Sequence, residues 1–511
     1  MSRRAWLGTA MAAGGGLVAT SCRTSQRSPE TLTVLINAAP EHLDPRYPGD
    51  ALGATISRLV YAGLLASDRD TFLPRADLAD RVELVDATRV IAHLRDDIRF
   101  HDGTPVTSDD VVATFRGILD PQLGSTLRNT YARSIAHVDP IDSRTLAFTL
   151  TGPDGTYGSL LEQPIVRARD AMHREFGANA GNEGQFVGAG AMRVVSLERG
   201  AWELERVAPV AGKARRVRFF AMRDPNTFAL RLLHGDADLG EIKPELFPLF
   251  TSRRDFEVAN AHSVGFTYLG IRNEHPLLAH AEVRRAIAHA IDRAQLRRGK
   301  LGPYSQPATG PLPPGHWAYE PGLPEYPFDP RLARSLLAPF LRGGRERLVM
   351  RTTNVRFVGT VARAIAAMLA DVGLDVEIRQ SDPPALFADL RGARFDLTLM
   401  TAPDFSDPWG LAWMFASTSI PTPADPFAGG NRWRFRNRDV DALLERGRTA
   451  LTPEARRPHY VEAQRILASE LPVVPLWHAD LVFAAGPRIT NVHPRGDNQW
   501  DFLLDVQLRR A

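Results

Sequence analysis

Leu348-Val349-Met350, then Val358, Val361, Ala362, Ile365, Leu369 and Val372, then Leu374-Asp375-Val376-Glu377-Ile378-Arg379, then Phe395 to Met400: this stretch decides the fold class. The first three residues read as a buried strand. The next six apolar positions fall on one helical face, and Gly373 closes the helix. Leu374, Val376 and Ile378 alternate with charged residues, which is a strand pattern. A short helix through Ala385 to Leu390 and the strand Phe395 to Met400 complete β-α-β-α-β, a parallel-sheet unit with right-handed crossovers. In such sheets ligands sit beyond the carboxyl ends of the strands. The loop after Met400, Thr401-Ala402-Pro403-Asp404-Phe405-Ser406-Asp407-Pro408-Trp409, is therefore the first place to look. Asp407 before Pro408 reads as a helix N-cap, whereas Asp404 has no such duty in sight.

Outward from that unit, 511 residues with 44% hydrophobic and 24% charged side chains suffice for a large core and two or three domains. That composition excludes disordered and collagen-like chains. Basic side chains number 62 against 59 acidic, and only Lys213, Lys243 and Lys300 are lysines. A net charge of +3 on this length gives no electrostatic footprint for nucleic acid. Cys22 is the single cysteine, so neither an intramolecular disulfide nor a multi-cysteine metal site can form. No internal repeat is visible, and periods of two and 3.6 alternate along the chain, as a mixed α/β protein requires. Thr107-Ser108-Asp109-Asp110 opens a helix with a capping box, and His101-Asp102-Gly103 before it is a turn. Val283, Ala286, Ile287, Ala290 and Ile291 mark another helix. Nine prolines between residues 303 and 330 predict a surface excursion or linker.

Residues 1–22 read as an export signal: paired Arg3-Arg4, a weakly apolar Gly-rich stretch, and small residues ahead of Cys22. The arginine pair resembles a twin-arginine signal, and Thr20-Ser21-Cys22 a lipobox, with Ala19 where leucine is usual. Cys22 is then the expected lipidation site, and residues 23–30 a polar tether. Removing residues 1–22 takes away Arg3 and Arg4 and no acid, leaving 60 basic against 59 acidic side chains.

A search for catalytic constellations returns none. His-Glu-x-x-His, Gly-x-Ser-x-Gly and Walker-type loops are missing, and Gly188-Ala189-Gly190 lacks the third glycine of a dinucleotide fingerprint. The 14 histidines are scattered without metal-ligand spacing, and His289 on a helix reads as a surface or core residue. No catalytic residue, metal or cofactor is expected.

An ordered set of segments resembles the extracellular solute-binding proteins of family 5, the receptors of peptide ABC importers. They are His42-Leu43-Asp44-Pro45, Leu59-Val60-Tyr61-Ala62-Gly63-Leu64, Leu94 through Pro105, Asp224-Pro225-Asn226-Thr227, Gly235-Asp236-Ala237-Asp238, Val283 through Arg293, Ser406-Asp407-Pro408 and Leu471 through Leu476. The resemblance spans nearly all of residues 31–485. It implies an α/β, bilobal type II periplasmic-binding-protein fold with an extra domain in the first lobe. Lobe 1 is then 31–48, 165–268 and 480–511, the extra domain 49–164 and lobe 2 269–479, with crossings near 266–273 and 473–484.

What the resemblance implies for function is capture of a peptide between the lobes and its delivery to membrane permease subunits, without catalysis. The chain is then an exported monomer, periplasmic or in the cell envelope, lipid-anchored at Cys22. The loop acid that pairs with a peptide α-ammonium corresponds to Asp404, with Thr401, Phe405, Trp409, Trp413 and Trp477 around the ligand. Two positions depart from peptide-binding relatives. Thr401 stands where tryptophan is common, and Gly188-Ala189-Gly190-Ala191-Met192 replaces Gly-Thr-Gly-Pro-Tyr. A receptor for a sugar, opine or metal chelate, and an exported hydrolase, remain as alternatives.

Overall fold

The computed structural model describes residues 28–40, 43–47, 50–171, 186–198, 200–342, 344–402 and 405–509. Cys22 and the whole export signal lie outside the described residues.

The β-α-β-α-β unit forms as strand Glu346–Thr353, helix Arg356–Ala370, strand Leu374–Ser381, helix Pro383–Arg391 and strand Leu397–Thr401. Glu346–Thr353 pairs in parallel with both other strands. Val361, Ala362, Ile365 and Leu369 are fully buried, and Gly373 has φ +99°, a conformation glycine adopts without steric cost. Leu374–Ser381 ends the sheet, and its charged positions face a row of arginines: Arg345 to Asp375 and Arg347 and Arg379 to Glu377. Charged side chains of this kind blunt an edge strand against pairing with other chains.

One strand organises the molecule. Val473–Ala485 runs for 13 residues, and its two halves belong to different neighbourhoods. Val473 to Ala479 pair with Thr267–Ile271 and Ser305–Pro307. Asp480 to Ala485 pair with Glu257–His262 and Leu239–Glu241. Leu239–Glu241 pairs in parallel with Thr31–Ile36 and that strand in parallel with Arg216–Ala221, after which Ala201–Arg206 and Met192–Glu198 add antiparallel. The chain thus passes between two sheet halves at residues 263–266 and again inside this strand, between Ala479 and Asp480.

Each half carries its own core. The first centres on Leu32, Val34, Phe219, Leu239, Phe483 and Trp500, and the second on Leu269, Ile287, Leu348, Ile365, Leu399 and Trp477. A four-stranded antiparallel sheet, in the order Ala79–Asp86, Arg89–Leu94, Thr145–Leu150, Ile135–Pro140, makes a third body under helix Ser108–Leu119. Its capping box forms: Asp110 Oδ2 accepts from Thr107 N at 2.8 Å, and Asp110 Oδ1 accepts from Ala168 N at 2.7 Å.

Two readings change. Helix Ala51–Val60, assigned by sequence to the extra domain, buries Ile56, Leu59 and Val60 in the first-lobe core. The proline-rich stretch is more than a surface excursion, because Leu312, His316, Ala318 and Leu323 are each at most 5% exposed. Prolines forbid a helix there, yet neighbouring side chains satisfy the irregular backbone. Gln464 Nε2 donates to Ala318 O at 2.8 Å, and Arg457 donates to Trp317 O and Tyr319 O.

Candidate functional site

The lobes and the third body meet along a cleft. On one wall, helix Tyr157–Leu160 presents Ser159, and the turn before it carries Asp154. On the other, the loop following strand Leu397–Thr401 brings Asp407, and the long helix Pro453–Glu470 brings Arg456. Asp407 is gripped in a bidentate pair, Arg456 Nη1 to Oδ2 at 2.9 Å and Nη2 to Oδ1 at 2.8 Å. Arg456 also donates to Gly447 O and Tyr460 Oη and lies 5.3 Å above the Trp317 ring. Burial works against its charge, but the Asp407 carboxylate outweighs burial and holds the guanidinium firmly protonated. The carboxylate of Asp407 caps a turn by accepting from Trp409 N at 2.8 Å, while the helix itself starts at Gly410 with Trp409 as its N-cap. The N-cap reading of Asp407 is corrected accordingly.

Four contacts bridge the cleft. Arg448 Nη1 donates to fully buried Asp154 Oδ2 at 2.9 Å, and Gly155 N donates to Arg448 O at 2.6 Å. Gly155 must be glycine here, since a Cβ would sit 2.0 Å from Ala450 O. Ser159 Oγ donates to Asp407 Oδ2 at 3.4 Å, and the Phe72 and His316 rings stack at 6.5 Å. His316 is neutral: burial lowers it to about 4, its Nδ1 accepts from Ala318 N, and its Nε2 donates to Ser406 O. Between the walls lies a cavity of about 290 Å³, bordered by Phe72, Tyr157, Ser159, Trp317, Asp407 and Arg456. A depression of about 880 Å³ on the first lobe is larger, but it is a broad surface feature beside Glu30 and Arg509 and brings no wall of the cleft together.

The residues singled out in the sequence are distributed as follows. Asp404 lies outside the described residues. Thr401 ends its strand, exposed, with its hydroxyl 3.1 Å from that of Thr267. Phe405, 7% exposed, packs inward near Gly410, and its ring is 6.4 Å from that of Trp413. Trp409 is half-buried with the Arg448 guanidinium 5.8 Å over its ring, beside the strut to Asp154. Trp413 is 38% exposed and stacks on Arg432. Trp477 is corrected: at 1% exposure it fills the second-lobe core and does not wall the cleft, because strand pairing on both sides turns its ring inward.

The sequence reading missed Asp154, Arg448, Arg456 and His316. No local pattern marks them, since their partners lie up to 294 residues away. The glycines Gly188 and Gly190 turn out to serve packing: a Cβ on either would collide with Val60 O or Leu59 O. His101 secures the same segment, its Nε2 2.9 Å from Gly190 O. Among the described residues no group of three or more His, Cys, Asp or Glu could hold a metal ion. Among them also no helix is long and apolar enough to cross a membrane.

Two lobes joined by strand crossings, with a cavity where they face, define a hinged binding protein. The family model for bacterial extracellular solute-binding proteins, family 5, matches residues 74–422. The chain belongs to that family, the solute-capturing components of ABC importers. It is 25% identical over 484 residues to the glutathione-binding protein GsiB of Escherichia coli K12, covering 90% of this chain and 91% of GsiB. Its fold is similar to that of NikZ from Campylobacter jejuni, solved with Ni(L-His), at TM-score 0.79 and 19% identity over 94% of this chain and 100% of NikZ. DppA from Helicobacter pylori, solved with the peptide STSA, gives TM-score 0.77 and 19% identity over 94% of this chain and 98% of DppA.

Proposed function

We propose that the chain captures a peptide with a free amino terminus between its lobes and passes it unchanged to the permease of an ABC importer. The observation that carries this reading is Asp407, in the segment after strand Leu397–Thr401, at the border of the interlobe cavity. In this reading Asp404 pairs with the peptide α-ammonium, a group whose unpartnered burial costs several kcal/mol. Thr401, Phe405, Trp409 and Trp413 are the further ligand contacts of this reading. The peptide seen in DppA and the name of GsiB support the substrate class. Closure then follows from differential affinity: a shift from 1% to 99% closed needs ~10⁴-fold tighter binding to the closed form. No bond is made or broken and no cofactor takes part. Acylation of Cys22 would hold the receptor, a monomer, at the membrane surface of the cell envelope.

Asp404→Ala should weaken free-amine peptides by ~2 to 5 kcal/mol, and N-acetylated peptides should bind wild type poorly. Equal affinity for free and acetylated peptides removes Asp404 from the role. A second reading, a non-peptide solute, is favoured by Thr401 standing where tryptophan is common. Native mass spectrometry of protein purified from rich medium separates the two by the mass that accompanies the chain.

A further inference from the structure

Glu162 lies just beyond helix Tyr157–Leu160, on the wall whose Ser159 reaches Asp407. It is 9% exposed, and among the described residues no donor reaches its carboxylate and no cation pairs with it. Arg58 Nη1 instead donates to the backbone oxygen of Glu162, at 3.1 Å. Arg495 is committed elsewhere, to both oxygens of Asp497, to Asp501 and to Ser67 O. The acids that face Glu162 are also spent, Asp497 on Arg495 and Asp407 on Arg456. Burial pushes the Glu162 carboxyl up to about 7; Arg58 and Arg495 pull it down, while Asp497 and Asp407 push it further up.

A carboxyl held mostly out of water with no partner is costly, and proteins keep such groups where something else completes them. Here Arg495 cannot serve without breaking pairs of its own, and Arg58 spends its bond on the Glu162 backbone oxygen and leaves the carboxylate open. We propose that Glu162 is a ligand-contacting residue of the cleft, receiving an ammonium or guanidinium of the guest and so favouring basic solutes. A proton fills the place near neutral pH when no guest cation does. The inference rests on the reading of the cleft as a peptide site, and the cation can come from a basic side chain or from the α-ammonium.

Calorimetric titration of the full chain with Ala-Lys-Ala, Ala-norleucine-Ala, N-acetyl-Ala-Lys-Ala and cadaverine separates the possibilities. Wild type is expected to bind Ala-Lys-Ala about tenfold more tightly than the norleucine peptide, and Glu162→Gln to bring the two within about twofold. If the α-ammonium is the cation, Glu162→Gln weakens both free-amine peptides about tenfold and leaves the acetylated one unchanged. Glu162→Asp, which keeps the charge, should restore most of either preference, so a general folding defect is recognised. Affinities that do not differ between wild type and Glu162→Gln for any probe overturn the inference. Cadaverine binding that depends on Glu162 without binding of any peptide overturns the peptide reading alone, and no binding of any probe overturns both.

Discussion

Two carboxylates on opposite walls of the cleft have opposite circumstances. Asp407, half-buried, is held by two hydrogen bonds from Arg456 and a third from Trp409 N, whereas Glu162, more deeply buried, has no partner for its carboxylate among the described residues. A buried acid with a dedicated arginine is scaffold, because its charge is already balanced. A buried acid without one is poised for something that arrives. Sequence alone already gives Asp407 a structural duty, as a cap before Pro408, and leaves Glu162 in an unremarked turn.

Removing the arginine should make Asp407 resemble Glu162. Arg456→Met is expected to cost ~3 kcal/mol in urea unfolding, because it strands a half-buried carboxylate and removes a buried guanidinium from its bonds. A loss under about 1 kcal/mol would mean that the pair contributes little and that the contrast is not energetic.

The pH dependence of stability sharpens the same comparison. Glu162 has a raised carboxyl, so its contribution is fully present below its ordinary value of 4.5 and is lost as pH rises through about 7. The span amounts to about 3 kcal/mol. His316 works in the reverse direction. Lowered to about 4 by burial, it leaves the fold unpenalised above its ordinary 6.5 and destabilises it as pH falls through 4. Glu162→Gln should flatten the melting profile between pH 4.5 and 7, and His316→Asn should flatten it between 6.5 and 4. Profiles unchanged by Glu162→Gln would show that the carboxyl is not desolvated in solution.

Asp154→Asn probes the strut beside the two acids. Loss of its charge-assisted bond to Arg448 is expected to cost ~1 to 3 kcal/mol and to open the cleft, read as a larger radius of gyration in X-ray scattering. The smallest effect belongs to the edge strand. Arg347→Ala, at a side chain 78% exposed, should leave the melting temperature unchanged within error.

Much of the fold could be read in the chain because its signals are local. The face of Val361, Ala362, Ile365 and Leu369, the alternation through Leu374 and Ile378, and the Thr107–Asp110 capping box each lie within a few residues and recur as elements. Helix Ala51–Val60 shows the limit, since its apolar face says that it packs but not against which body. Trp477 shows another, because a tryptophan near a crossing suits a cleft wall as well as a core until its strand partners are known.

The sequence by itself determined the class of fold, the family and the loop at the strand ends, because periodicity and ordered motifs are properties of neighbours along the chain. Only the tertiary structure decided which acids are neutralised. Arg456 meets Asp407 from 49 residues away, Arg448 meets Asp154 from 294, and among the described residues no side chain meets the Glu162 carboxylate. Electrostatic and desolvation energies depend on distance in space and on exclusion of water, and neither is written in the order of residues.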